Sequence, residues 1–135
     1  MTSTPPVRTP LALIRAALLG GVLLFGLVSW VTIRQRGGGP LAGVDPAALG
    51  VFRVLVPALC LAALGAAVAI RLAVARATEP ARRNSLRIIG WATGEAAALA
   101  GGVYYFEVGD PKLYLIGLTA MLATFIVVPI RENRA

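Results

Sequence analysis

The sequence predicts an all-α membrane protein, an up-and-down antiparallel bundle of four transmembrane helices with both termini on the cytoplasmic side. Hydrophobic residues make up 58% of the 135 residues and charged residues only 14%, against about 25% in soluble domains. A soluble protein of this size has a large surface relative to its volume and needs polar side chains to cover it. The composition therefore indicates that lipid covers this chain.

Four long apolar runs are the second observation. They cover residues 16–33, 54–70, 88–106 and 113–130, and only the third contains a charged residue, Glu95. About 20 helical residues cross the roughly 30 Å hydrocarbon core of a bilayer. A helix also satisfies its own backbone polar groups, which lipid cannot do. We therefore expect four transmembrane helices in a single domain.

The distribution of basic residues is the third observation. With four spans, one side of the membrane would carry Arg8, Arg15, Arg71, Arg76, Arg82, Arg83, Arg87, Arg131 and Arg134, and the other Arg34, Arg36, Arg53 and Lys112. The positive-inside rule then places both termini in the cytoplasm. Aromatic residues at the other ends of the spans are typical of an interfacial belt. They are Trp30, Phe52, Tyr104, Tyr105 and Tyr114.

Turn chemistry predicts where each element begins and ends. Asp45 and Asp110 each precede a proline, which is the pattern of a capping carboxylate before the first helical residue. Gly109 is suited to the left-handed conformation that ends many helices. The predicted elements are a flexible N-terminal tail (1–9), helix 1 (10–34), a flexible outer loop (35–45), helix 2 (46–77, spanning part about 54–70), helix 3 (80–107, spanning part about 88–106), helix 4 (111–130) and a C-terminal tail (131–135).

Composition excludes several classes of function. The chain contains no histidine and a single cysteine, Cys60. It therefore cannot form a His-ligated haem, a zinc site of the usual kind, a His-based catalytic triad or an intramolecular disulfide. The basic residues flank the apolar runs and do not form a patch with interleaved aromatics, which argues against nucleic acid. We predict no catalytic residue, no metal and no cofactor, and hence no enzyme.

A strip of small residues runs along helix 3, and a second strip lies on helix 2. Small side chains at such spacing let two membrane helices approach closely. The strips consist of Gly90, Gly94, Ala98 and Gly102 on helix 3 and of Ala58, Ala62 and Ala66 on helix 2. They are explained either by packing within the bundle or by a contact to another subunit, and the sequence does not separate the two.

Glu95 is the charged residue deepest in a predicted span. A charge at the centre of a membrane helix costs roughly 3 kcal/mol on insertion scales, so such residues are candidates for function. Two interpretations stay open: an ion or proton site, or a buried ion pair with Arg15 or Arg71. Trp91, one turn before Glu95 on the same face, is a possible cation-contacting aromatic or an interfacial anchor.

Part of the chain resembles the ring-forming proteolipid subunit of rotary ATP synthases. The resemblance rests on the small-residue stretch 62–67, on the short loop with Arg76 and Pro80, and on Glu95 followed by Ala96 and Ala97. It implies that Glu95 carries a transported proton or sodium ion. The four helices and the single membrane glutamate are also similar to small multidrug-resistance transporters, where the glutamate lies in the first helix. Helix 1 has no acid here.

These observations lead to two functional hypotheses. The first is an accessory or structural subunit that packs against itself or against a larger membrane complex. The alternative is a proton- or cation-coupled small transporter, or a ring-type ion-translocating subunit, that uses Glu95. The expected partners are the lipid bilayer and a membrane protein or second copy, with no nucleic acid. The expected location is a cell membrane, as a multi-pass protein of the bacterial inner membrane.

Overall fold

The structure, a computed structural model, describes residues 8–130, and all of its regular elements in this range are α-helices. They are α1 (Arg8–Gln35), α2 (Pro46–Arg76), α3 (Pro80–Val108) and α4 (Lys112–Val127). The prediction of an all-α chain with four helices is confirmed. The predicted C-terminal tail and residues 1–7 of the N-terminal tail, with Arg131 and Arg134, lie outside the described residues.

The helix ends follow the predicted turn chemistry. The Asp45 carboxylate accepts a hydrogen bond from the Ala47 backbone N–H (2.9 Å) and so caps α2. The Asp110 carboxylate accepts a hydrogen bond from the Lys112 backbone N–H (3.1 Å). Helix α4 begins at Lys112, one residue after the predicted start at Pro111. Gly109 ends α3 with φ 87°, a conformation that costs glycine nothing because it has no Cβ.

Helix α3 is the centre of the bundle and packs against each of the other three helices. Helices α2 and α4 also contact each other. Short connections join α2 to α3 and α3 to α4, which makes each pair antiparallel neighbours. Helix α1 is joined to α2 by the long loop and packs on α3, not on its neighbour in sequence.

Glycines let α3 and α4 approach to backbone distance. A Cβ atom on Gly94 would lie 3.0 Å from the Met121 Cα atom, and one on Gly117 would lie 2.8 Å from the Ala98 Cα atom. A Cβ on Gly101 would overlap the Leu113 carbonyl group. Any larger residue at these positions would separate the helices, so this contact sets the position of α4 on α3.

Two of the helices, α1 and α2, are long and apolar enough to span a membrane. The most apolar stretch of α1 is only 17% buried and that of α2 only 28% buried, so most of their apolar surface faces away from the bundle. Helix α4 is apolar but has only 16 residues. At 1.5 Å per residue, this is shorter than the hydrocarbon core of a bilayer.

Three of the five aromatics assigned to an interfacial belt lie inside the bundle instead. Tyr104, Tyr105 and Tyr114 are all buried. The rings of Tyr105 and Tyr114 stack with centroids 5.8 Å apart, and the Tyr114 hydroxyl donates a hydrogen bond to the Val22 carbonyl (2.8 Å). The belt interpretation was therefore wrong for these tyrosines, because their side chains are buried within the bundle.

Candidate functional site around Trp91 and Glu95

Trp91 lies at the centre of a junction between three helices. Its ring is fully buried, and its indole N–H donates a hydrogen bond to the Val128 carbonyl (2.8 Å) at the end of α4. This bond provides a partner for the indole N–H and for one of the last carbonyls of α4. The Phe125 ring meets the Trp91 ring edge-on, with centroids 6.1 Å apart. Trp91 is a packing residue and not an exposed interfacial anchor.

Arg15 of α1 completes this junction. Its guanidinium carbon lies 4.7 Å from the Phe125 ring centroid and 5.9 Å from the Trp91 ring centroid. The Arg15 side chain is half-buried, where contact between a cation and aromatic faces is stronger than in water. The sequence left open whether Trp91 contacts a cation or anchors the helix at an interface, and in the structure the guanidinium group of Arg15 lies beside its ring.

Glu95 lies one helical turn beyond Trp91, on the side of α3 that faces α1. Gly102, two turns further along this side, is so close to α1 that a Cβ atom would lie 2.7 Å from the Phe25 ring. The Glu95 side chain is half-buried, and no ion pair joins it to a basic residue within the described part of the chain. The structure thus brings the Arg15 guanidinium group to the Trp91 ring and not into an ion pair with Glu95.

Arg71, the other basic residue suggested for Glu95, is exposed at the C-terminal end of α2. The neighbouring Ile70 side chain contacts α3, and its Cδ1 atom lies 3.5 Å from the position of a Cβ on Gly90. The two suggested arginines therefore have different environments. Arg15 is held against aromatic rings, whereas Arg71 is accessible from outside the bundle.

The small-residue strip of α3 is an internal packing surface. Gly90, Gly94, Ala98 and Gly102 are all buried, and they face α4 and α1 together with Ile70 of α2. The sequence did not single out Gly117 on the opposite helix, although it stands in line with Ala120 and Thr124. That spacing is the signal which could have identified the partner strip on α4.

The small-residue strip of α2 faces outward. Ala58 and Ala62 are exposed and Ala66 is half-buried, while the residues that α2 buries lie on its opposite face. These buried residues are Leu49, Val56, Cys60, Ala63, Ala67 and Val74. Ala58 and Ala62 thus do not form the partner strip for α3, because β-carbons of Cys60, Ala63 and Ala67 take that face of the helix.

Arg36 joins the outer loop to the C-terminal end of α3, a role that the sequence did not predict. Its guanidinium group donates hydrogen bonds to the carbonyls of Gly39 (2.8 Å), Glu107 (3.3 Å) and Phe106, and it lies over the Phe106 ring. The Leu41 N–H also donates to the Glu107 carbonyl (2.7 Å). The outer loop, predicted to be flexible, therefore satisfies the terminal carbonyls of α3.

The described residues include three half-buried carboxylates, those of Glu95, Glu107 and Asp110, and only Glu95 lies away from a helix end. Within residues 8–130, no three His, Cys, Asp or Glu side chains lie close enough to hold a metal ion. Thr93, Thr119 and Thr124 each donate a hydrogen bond to a carbonyl of their own helix. Such hydroxyls are engaged by the backbone and are not poised as nucleophiles.

The fold and this junction define an all-α, four-helix protein in which two helices are apolar enough to cross a membrane. No protein-family model matches the chain, and comparisons with curated proteins and with solved structures gave no match.

Proposed function

We propose that this chain is a small integral membrane protein that acts as a non-catalytic subunit, packing against a second copy of itself or against a larger membrane complex. In this proposal all four helices lie in the membrane and both termini face the cytoplasm. Support for the placement comes from the mostly unburied apolar surfaces of α1 and α2. Soluble monomers rarely leave large contiguous apolar surfaces uncovered.

One observation carries the proposed role as a packing subunit. Ala58, Ala62, Gly65 and Ala69 are exposed and lie on the face of α2 opposite to its buried residues. Their spacing of four, three and four residues keeps them on one side of the helix. We call these four residues the outward strip of α2, and no residue of the described range 8–130 covers it at Gly65, where nothing lies within 4 Å of the position of a Cβ.

Gly65 is an unfavourable residue for the interior of a helix. In the interior of a helix it is less favourable than alanine by roughly 0.5–1 kcal/mol, and a surface that only contacts lipid gains nothing from it. Close approach of another helix offsets this cost, because contact between backbones replaces the side chains. We therefore assign the outward strip of α2 as the contact for a transmembrane helix of a second copy or of a larger complex.

The experiment compares Gly65→Leu with Val68→Leu, a substitution of an exposed residue outside the outward strip of α2. Affinity-tagged protein is extracted in mild detergent, separated by native electrophoresis, and tested for co-purified copies or partners. Gly65→Leu is expected to dissociate the assembly and leave the helical content unchanged, while Val68→Leu leaves the assembly intact. A wild-type chain that is strictly monomeric and without partners would overturn the proposal.

The half-buried Glu95 carboxylate favours a second candidate, coupled transport of a proton or cation. Its support is that no described basic residue pairs with Glu95 on the side of α3 that faces α1. If Glu95 carries the ion, Glu95→Gln abolishes proton-coupled flux in proteoliposomes, and a hydrophobic carbodiimide labels the wild-type carboxyl within the membrane. Equal flux in the two proteins would remove this candidate.

A further inference from the structure

The joint between α2 and α3 is the most strongly basic segment of the chain. Residues 71–87 contain five arginines and one acidic residue, Glu79. The arginines divide into two groups. Arg83 donates a hydrogen bond from Nε to the Ala77 carbonyl (2.6 Å) at the end of α2, and Arg87 is buried. These two belong to the internal structure of the joint.

The other three arginines, Arg71, Arg76 and Arg82, have no such role. All three are exposed, and within residues 8–130 no hydrogen bond, ion pair or ring contact engages them. Arg82 also lies in the first turn of α3, where the helix dipole disfavours a positive charge. The stability of the described fold therefore does not account for these charges.

The arginines at the opposite end of the bundle are different. Arg34 lies over the Trp30 ring with 4.5 Å from its guanidinium carbon to the centroid, Arg36 binds the end of α3, and Arg53 donates to the Tyr104 hydroxyl (3.4 Å). Each of these three cations has a partner within the chain. Among the residues that the structure describes, guanidinium groups without a partner are therefore concentrated at the α2–α3 joint.

Exposed apolar side chains continue the faces on which these arginines lie. Leu72 is one turn before Arg76 on α2, and Ile89 is two turns beyond Arg82 on α3. Both residues are more than half exposed. Positive groups at the helix ends followed by apolar surface match the two parts of a phospholipid, a charged headgroup and its acyl chains. This pairing is not matched by a free anion or by an acidic soluble protein.

We propose that Arg71, Arg76 and Arg82 form a binding surface for the headgroups of anionic phospholipids, with the acyl chains against the apolar faces of α2 and α3. This inference rests on the proposed placement of the chain in a membrane. An arginine near a charged membrane surface contributes roughly a fivefold gain in affinity, so that the three together give about a hundredfold at low salt.

The test measures lipid selectivity of the full chain reconstituted in liposomes of phosphatidylcholine. Spin-labelled phosphatidylglycerol and spin-labelled phosphatidylcholine report their relative association with the protein by electron paramagnetic resonance. The variant is Arg71→Gln/Arg76→Gln/Arg82→Gln, and the matched control, Arg34→Gln/Arg53→Gln/Lys112→Gln, removes the same charge at the opposite end. Wild type and control should prefer phosphatidylglycerol, and the variant should lose most of this preference.

Three results would overturn the inference. They are equal selectivity in the variant and the wild type, an equal loss in the control, and competition by inorganic phosphate at equal ionic strength, which would indicate a site for free anions. Incorporation of the wild type into neutral liposomes is measured first. Failure there would refute the membrane placement itself, whereas normal incorporation without selectivity would refute only the lipid site.

Discussion

Gly117 of α4 lies against the backbone of Ala97 in α3, so that a Cβ atom on Gly117 would stand 2.6 Å from the Ala97 carbonyl oxygen. The contact is backbone to backbone, and no side-chain rotation can relieve an overlap there. Gly101 makes the reciprocal contact from α3, one turn after Ala97, where a Cβ atom would overlap the Leu113 carbonyl of α4. Together with Gly94, these two glycines determine how closely α4 packs on α3.

Gly117→Ala is expected to destabilise the fold. The added methyl group must push α4 away from α3, and overpacking of this kind costs about 1–3 kcal/mol. The control is Gly20→Ala on α1, where nothing lies within 4 Å of the new Cβ and where alanine favours the helix. Thermal unfolding in detergent, followed by circular dichroism, should show a lower midpoint for Gly117→Ala alone. Equal midpoints would contradict the close contact.

Tyr114→Phe should remove the hydrogen bond that ties α4 to α1. The Tyr114 hydroxyl is the described partner of the Val22 carbonyl, and both residues are buried. Loss of such a bond costs about 1 kcal/mol. Tyr104→Phe is the matched control, because the Tyr104 hydroxyl only accepts a long hydrogen bond from exposed Arg53. The two variants should differ in unfolding midpoint, and an equal effect would show that the Tyr114 bond contributes nothing.

Much of the fold could be predicted from the sequence because it depends on local signals. The aspartate–proline starts of α2 and α4 and the left-handed Gly109 act within a few residues of the chain, so their chemistry is visible in the sequence. The four apolar runs similarly predict four helices. The pairing of the helices could not be predicted from such local signals, because α1 is joined to α2 but packs on α3.

The candidate site was less predictable, because it depends on which helices face each other and not on local signals. Glycines 90, 94 and 102 were recognised as a packing strip, yet their partners in α4 and α1 are fixed by the arrangement of the whole bundle. Ala58 and Ala62 have the same spacing and face outward. Arg36 resembled an ordinary flanking charge, and only the return of the outer loop to the end of α3 gives it partners.

Arg36→Ala should release the outer loop from α3. Its hydrogen bonds are made by a charged donor, and such bonds contribute about 1.5–3 kcal/mol when they are intact. Hydrogen exchange measured by mass spectrometry is expected to increase in peptides that cover Leu41 and the last turn of α3. Arg34→Ala is the control, because Arg34 stacks on Trp30 of its own helix. Unchanged exchange in the Arg36 variant would show that the loop is held by other contacts.

A double-mutant cycle distinguishes the two roles suggested for Arg15. If the guanidinium group acts through the aromatic junction, Arg15→Gln and Phe125→Leu should be coupled by about 0.5–2 kcal/mol, because each change removes the same contact. Arg15→Gln and Glu95→Gln should instead be additive within about 0.5 kcal/mol, since no ion pair joins the two side chains in the described structure. Unfolding free energies of the single and double variants in one detergent provide both values.

The cycle also bears on Glu95. Additivity with Arg15 would leave the carboxylate without an internal counter-charge, and a group that is costly in a membrane then requires a partner outside the chain or a bound proton. Glu95→Gln alone should accordingly leave the unfolding free energy unchanged or raise it, because the neutral amide is less costly to bury. A coupling of 3–5 kcal/mol, of the size expected for a broken buried pair, would instead assign Glu95 and Arg15 to a structural ion pair.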